Sequence, residues 1–103
     1  MNLTQNNELT PKEAYTWLAK VTPGCRNAEL EKIIATDSYC SYCYAEEVLK
    51  GRFELGEPAI ATHTRLSYDY AKDVLKCRFE LGEPAIAKNA YWGKAYKQRL
   101  VLQ

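Results

Sequence analysis

Apolar and polar positions repeat along this chain with a helical period, and the whole pattern returns after 26 residues. Over Arg65–Arg78, the residues Asp69, Lys72, Asp73 and Lys76 fall at i, i+3, i+4 and i+7, which predicts a solvated face of alternating charge. Tyr68, Ala71, Val74, Leu75 and Arg78 take the opposite side, with Tyr70 and Cys77 flanking that stripe. Tyr39–Gly51 carries the same pattern one repeat earlier. Upstream, Ala14, Trp17, Leu18 and Val21 form the apolar stripe of a first helix from Pro11 to about Val21. Thr10-Pro11-Lys12-Glu13 has the form of a capping box with proline at the first helical position, and Thr22-Pro23-Gly24 stops the helix. Asn27 is the expected N-cap of a helix over Ala28–Ala35, and Asp37-Ser38 punctuate. Pro58 and Pro84 place two short helix starts near Glu54–Glu57 and Glu80–Glu83, because proline has no N–H to lose in a first turn. Phe53, Leu55 and Ile60 are the expected buried face of that segment. A last helix runs from Asn89 to about Val101, polar on the side of Lys94, Lys97, Gln98 and Arg99.

The repeat is close to identity. Ser41–Thr62 and Ser67–Lys88 differ at five of 22 positions: Cys43/Asp69, Glu46/Lys72, Glu47/Asp73, Gly51/Cys77 and Thr62/Lys88. A worn copy precedes them, with Arg26 on Arg52, Glu31 on Glu57 and Ile34-Ala35 on Ile60-Ala61. The last helix fits a fourth copy loosely, with Tyr96 on Tyr70 and Leu100 on Val74. A hairpin of this size cannot bury its apolar face alone, so stacked copies must share a core. The expected fold is all-α: tandem helix–turn–helix repeats of 26 residues stacked as a short α-solenoid of about seven helices. The expected layout is a single domain over 1–103, with a frayed leader (1–9), a degenerate repeat (10–36), two close repeats (38–62 and 64–88) and a C-terminal capping helix (89–103).

Composition narrows the function classes. An apolar share of 47% with eight tyrosines is not that of a disordered tail. The net charge of +1 argues against a dedicated duplex-DNA binder and against an acidic DNA mimic. No apolar run reaches the length of a membrane span, and the polar start lacks the form of a signal peptide. A reducing cytoplasm is therefore the expected compartment and the four cysteines are expected as thiols.

Arg26/Glu31, Arg52/Glu57 and Arg78/Glu83 recur at one phase and are expected as structural ion pairs that also serve helix starts. An alternative is a ladder in which Arg52 and Arg78 hold a phosphate or carboxylate, against which the adjacent glutamates count. Tyr42/Tyr68 and Tyr44/Tyr70 recur as well. With Tyr39, Tyr91 and Trp92 they are candidates for an exposed aromatic ridge, the material of interaction hot spots; packing is the competing role. Glu46, Glu47, Lys72 and Asp73 are further partner-binding candidates on the charged helix faces.

Cys40-Ser41-Tyr42-Cys43 is half a zinc motif, and with only Cys25, Cys77 and His63 remaining no metal and no cofactor are expected. Cys43 is expected to be the most accessible thiol. No nucleophile–base pair and no phosphate loop are evident, so the expectation is a non-enzyme.

The Tyr-Ala-x-x-Val-Leu-Lys-Gly-Arg-Phe-x-x-Gly-Glu signature at Tyr44–Glu57, and again at Tyr70–Glu83 with Cys77 in the glycine's place, resembles a short helical repeat of small bacteriophage proteins. Cys77 departs from the glycine expected after the long helix. The resemblance implies a viral origin and a host-cell setting, and it implies an accessory role such as blocking a host defence complex, as an anti-CRISPR or another anti-defence inhibitor does. The expected partner is thus a host protein or complex, with a homodimer as a further expected assembly. The rival expectations are a sponge for a signalling nucleotide at Arg52, Arg78 and the tyrosines, and nucleic-acid binding through Lys88, Lys94, Lys97 and Arg99.

Overall fold

Side chains that cap backbone N–H groups start most of the helices. The structure, a computed structural model, describes residues 9–21 and 26–101. The expected leader before Leu9, the Thr22-Pro23-Gly24 stop and Cys25 lie outside the described residues. Thr10 Oγ1 accepts from the Glu13 N–H while Glu13 accepts from the Thr10 N–H, so the capping box opens α1 (Pro11–Thr16). Asn27 caps α2 (Ala28–Ile34) and Asp37 caps α3 (Ser38–Cys43) by accepting from Leu30 and Cys40. His63 Nδ1 does the same for α5 (Thr64–Asp69), and Asn89 for α7 (Ala90–Tyr96). The two proline helices, α4 (Glu57–Ile60) and α6 (Glu83–Ala87), are entered through single 3-10 turns, Glu54–Gly56 and Glu80–Gly82. No strand occurs among the described residues.

Helices α1, α3, α5 and α7 continue without a break into π-helical segments, Trp17–Val21, Tyr44–Leu49, Tyr70–Leu75 and Lys97–Val101. The wider turn is closed by an i→i+5 bond, from the Lys76 N–H to the Ala71 carbonyl at 2.7 Å. Lys50 and Lys76 then reverse the chain in the left-handed region, at φ 54° and 58°. The long helices expected over Tyr39–Gly51 and Arg65–Arg78 therefore end sooner, at Leu49 and Leu75. Gly51 has no positive φ, and a Cβ there would meet only the Leu49 carbonyl oxygen at 3.9 Å, which is why Cys77 fits the same slot.

Long and short helices alternate along three and a half units, and the molecule is an all-α helical repeat. Each full unit packs its long helix on its own short one, and successive long helices touch along the stack. The result measures 52 × 25 × 16 Å with a radius of gyration of 15.0 Å. A globule of this length would have a radius near ~13 Å, so the chain is elongated. The core runs the length of the stack through Leu18, Ile34, Tyr44, Phe53, Ile60, Tyr70, Phe79 and Ile86. Where unit two closes on itself, a Cβ on Gly56 would lie 2.5 Å from Ser41 Oγ, and Gly82 meets Ser67 in the same way at 2.6 Å. Ser41 and Ser67 then donate to the Ile34 and Ile60 carbonyls of the preceding unit.

Three sequence expectations give way to this packing. Leu55 and Leu81 are half-exposed, because the 3-10 turn swings them out while Phe53 and Ile60 go in. Trp17 and Val21 are exposed, since only Ala14 and Leu18 of that stripe face α2 and the next long helix. The charged face of α5 is not free: beyond Tyr70 the π turn breaks the 3.6-residue phase, leaving Val74, Leu75, Lys72 and Asp73 all half-buried.

Candidate functional site

The recurring arginine and glutamate are joined by a third residue. Arg52 donates from Nε and Nη2 to Glu57 at 2.7 and 3.1 Å, a bidentate fork. Tyr70, in the long helix of the next unit, donates its hydroxyl to Glu57 Oε2 at 2.6 Å. The same oxygen of Tyr70 accepts from the Phe53 N–H at 3.0 Å. The glutamate therefore accepts three hydrogen bonds, and a buried backbone donor in the turn is satisfied from the next unit. Arg26, Glu31 and Tyr44 repeat the fork and the tyrosine contact, and Arg78, Glu83 and Tyr96 repeat the whole set, including the Phe79 N–H at 3.0 Å from Tyr96. Among the described residues no buried side-chain nitrogen or oxygen lacks a partner.

The electrostatics follow from this geometry. Burial pushes the Tyr44 and Tyr70 phenols well above their ordinary value, and the glutamate acceptors push in the same direction. Burial likewise pushes Tyr96 up, to about 12. Burial alone would raise the Glu31 carboxyl, but the hydrogen bonds from Arg26 and Tyr44 outweigh it and hold Glu31 below the usual range. The bonds from Arg78 and Tyr96 hold Glu83 down as well. In the sets of Glu31 and Glu83, a carboxyl held low thus stands beside a phenol held high.

The tyrosines expected on an exposed ridge divide in two. Tyr42, Tyr44, Tyr68 and Tyr70 are buried: Tyr44 and Tyr70 are turned onto the previous unit's glutamate, and Tyr42 and Tyr68 onto Asp73 and Trp92 of the next unit. Tyr44 and Tyr70 also meet Phe53 and Phe79 edge-on, with ring centres 4.9 Å apart. Tyr42 reaches forward and donates to Asp73 at 3.1 Å, and Tyr15 donates to Glu47. Glu47 and Asp73 are therefore tied to a neighbouring unit, Lys72 pairs with Asp73 at 3.4 Å, and Glu46 lies exposed.

What stays outside is a different row. Tyr39 and Tyr91 are 63% and 71% exposed. Arg65 stands between them at the same repeat phase, 26 residues from each, on the helix between theirs. Its guanidinium lies 5.1 Å from the Trp92 ring centre and 3.4 Å from Asp69. Half-buried Trp92 packs between Tyr68 and Tyr91, at 5.0 and 4.8 Å. Arg65 was absent from the sequence candidates; the shared phase of Tyr39, Arg65 and Tyr91 is the signal that points to it.

Among the described residues no group of three or more His, Cys, Asp or Glu side chains is placed to hold a metal ion. Burial pushes the Cys40 thiol up to about 11 and raises Cys43 too, so both stay protonated. Cys77 is exposed and Cys43 half-buried, the reverse of the expected order, because Cys77 lies past the helix end. No helix among the described residues is long and apolar enough to cross a membrane. Set beside known protein-family models, curated proteins and solved structures, the chain matches none.

Proposed function

We propose that this chain is a non-catalytic protein-binding module whose contact surface is the row Tyr39, Arg65 and Tyr91, backed by Trp92. The observation that carries this reading is the sorting of aromatic side chains. Four recurring tyrosines are spent on the core, while Tyr39 and Tyr91 stand out in water in line with an arginine. Tyrosine, tryptophan and arginine are the residue types that dominate binding energy at interfaces. Trp92, held between two rings and under a guanidinium, gives the row a rigid base, and a rigid contact loses little entropy on binding.

The resemblance to small bacteriophage repeat proteins supports a host protein or complex as the partner. It makes an anti-defence inhibitor, of the anti-CRISPR kind or another, the class to which the chain is assigned here. The test is capture from bacterial host lysate on the immobilised chain. Wild type recovers a stoichiometric protein, and the Tyr39→Ala/Tyr91→Ala variant, which alters only exposed side chains, loses it. A lysate that yields no stoichiometric protein, or a partner that the variant retains, overturns the proposal.

A further inference from the structure

We propose that the cavity between α1 and α3 binds a small phenol that carries an anionic tail. The cavity measures about 320 Å³, at the low end of the ~300–1,000 Å³ in which small ligands seat. Tyr15 and Thr16 line it from α1, and Tyr39, Cys40 and Cys43 from α3. Tyr39 also begins the exposed row, but a phenol here needs no partner on that row.

The next two interfaces of the stack show what this one lacks. Thr16, Tyr42 and Tyr68 share one repeat phase, 26 residues apart. Between α3 and α5, Tyr42 is buried and donates its hydroxyl to Asp73 at 3.1 Å. Between α5 and α7, Tyr68 is buried and packs on Trp92 with ring centres 5.0 Å apart. Between α1 and α3 that phase holds an exposed threonine. The facing helix is trimmed as well, since Cys40 stands at the phase of Leu66 and Trp92. Both positions are therefore smaller here than at either later interface. The volume given up is that of an aromatic ring, and the rings of Tyr15 and Tyr39 with the sulfurs of Cys40 and Cys43 are left to hold one.

The polar ends make that ring a phenol with a charged tail. Glu47 stands at the phase of Asp73, which accepts from Tyr42 one unit later. Glu47 Oε1 accepts from Tyr15, and among the described residues no hydrogen bond reaches Oε2. A phenol placed as Tyr42 is placed donates to that oxygen. Lys12 lies in the first turn of α1, whereas Glu47 lies in the π segment beyond α3. The two long helices run side by side in the same sense, because α1 touches α3 and their π segments touch each other. Lys12 and Glu47 therefore stand at opposite ends of the cavity, both on its lining. With the hydroxyl at Glu47, the tail reaches Lys12, and an anion is the tail that a lysine favours.

The test uses the whole chain and 4-hydroxyphenylacetate as the probe, followed by amide shifts in the nitrogen–proton NMR spectrum. The expected result is saturable binding with Kd near ~1 mM. The shifted amides are those of Lys12–Thr16 and Tyr39–Cys43. Phenylacetate, which lacks the hydroxyl, and tyramine, whose tail is cationic, each bind about ten-fold more weakly. Thr16→Tyr, which restores at an exposed position the ring of the later units, abolishes binding. Tyr91→Ala, at the far end of the row, leaves it unchanged. The proposal is overturned if no saturable shift appears by about 10 mM probe, or if phenylacetate or tyramine binds as well as the probe does. It is also overturned if the shifts lie elsewhere, if Thr16→Tyr binds as wild type does, or if Tyr91→Ala weakens binding.

Discussion

Glu57 is the residue on which two units meet. It takes the Arg52 fork from its own unit and the Tyr70 hydroxyl from the next, and the spacing of five between Arg and Glu makes the first of these readable from sequence. The second was not, since it joins residues 13 apart across a helix turn and a reversal, although Tyr96 on Tyr70 gave the phase. These sets fix a pH profile. The Tyr44, Tyr70 and Tyr96 phenols are raised above 10.0, so the stability they give is whole below pH 10 and is lost as pH rises from there through their folded values. The Glu31 and Glu83 carboxyls are lowered below 4.5, so their contribution is present above pH 4.5 and is lost as pH falls through their folded values. Urea midpoints measured across pH should form a plateau that falls off on both sides. The alkaline fall should coincide with the appearance of tyrosinate absorbance from the buried phenols.

At the scale of the element, the starts were legible and the ends were not. Thr10, Asn27 and Asn89 cap as their residue types predict, and Pro58 and Pro84 mark their short helices, because capping is a local transaction. The π segments and the left-handed lysines leave no such mark. A period read at 3.6 residues runs straight through them, and the visible glycine at Gly51 drew attention one position too far. Lys76 at φ 58° bears the steric cost that glycine would escape. Lys76→Gly is therefore expected to stabilise the chain by up to about 1 kcal/mol in thermal or urea unfolding. Gly51→Ala, where φ is not positive, should give no such gain.

Across the whole molecule, the repeated polar residues hold the stack together, and the exposed row is the surface we propose for a partner. The surface row was half legible: Tyr39 and Tyr91 stood in the sequence as aromatics, but which tyrosines face inward depends on the packing of one unit on the next. The claim on which this division rests is that Glu57 and Tyr70 couple adjacent units through a buried contact. Its most direct test is the coupling energy from urea unfolding of the wild type, Glu57→Gln, Tyr70→Phe and the double variant. Tyr70→Phe alone should cost about 2 kcal/mol, because it also strips the Phe53 N–H of its acceptor. A coupling of about 1–2 kcal/mol between the two sites is the predicted result; single effects that simply add, to within about 0.3 kcal/mol, would contradict it.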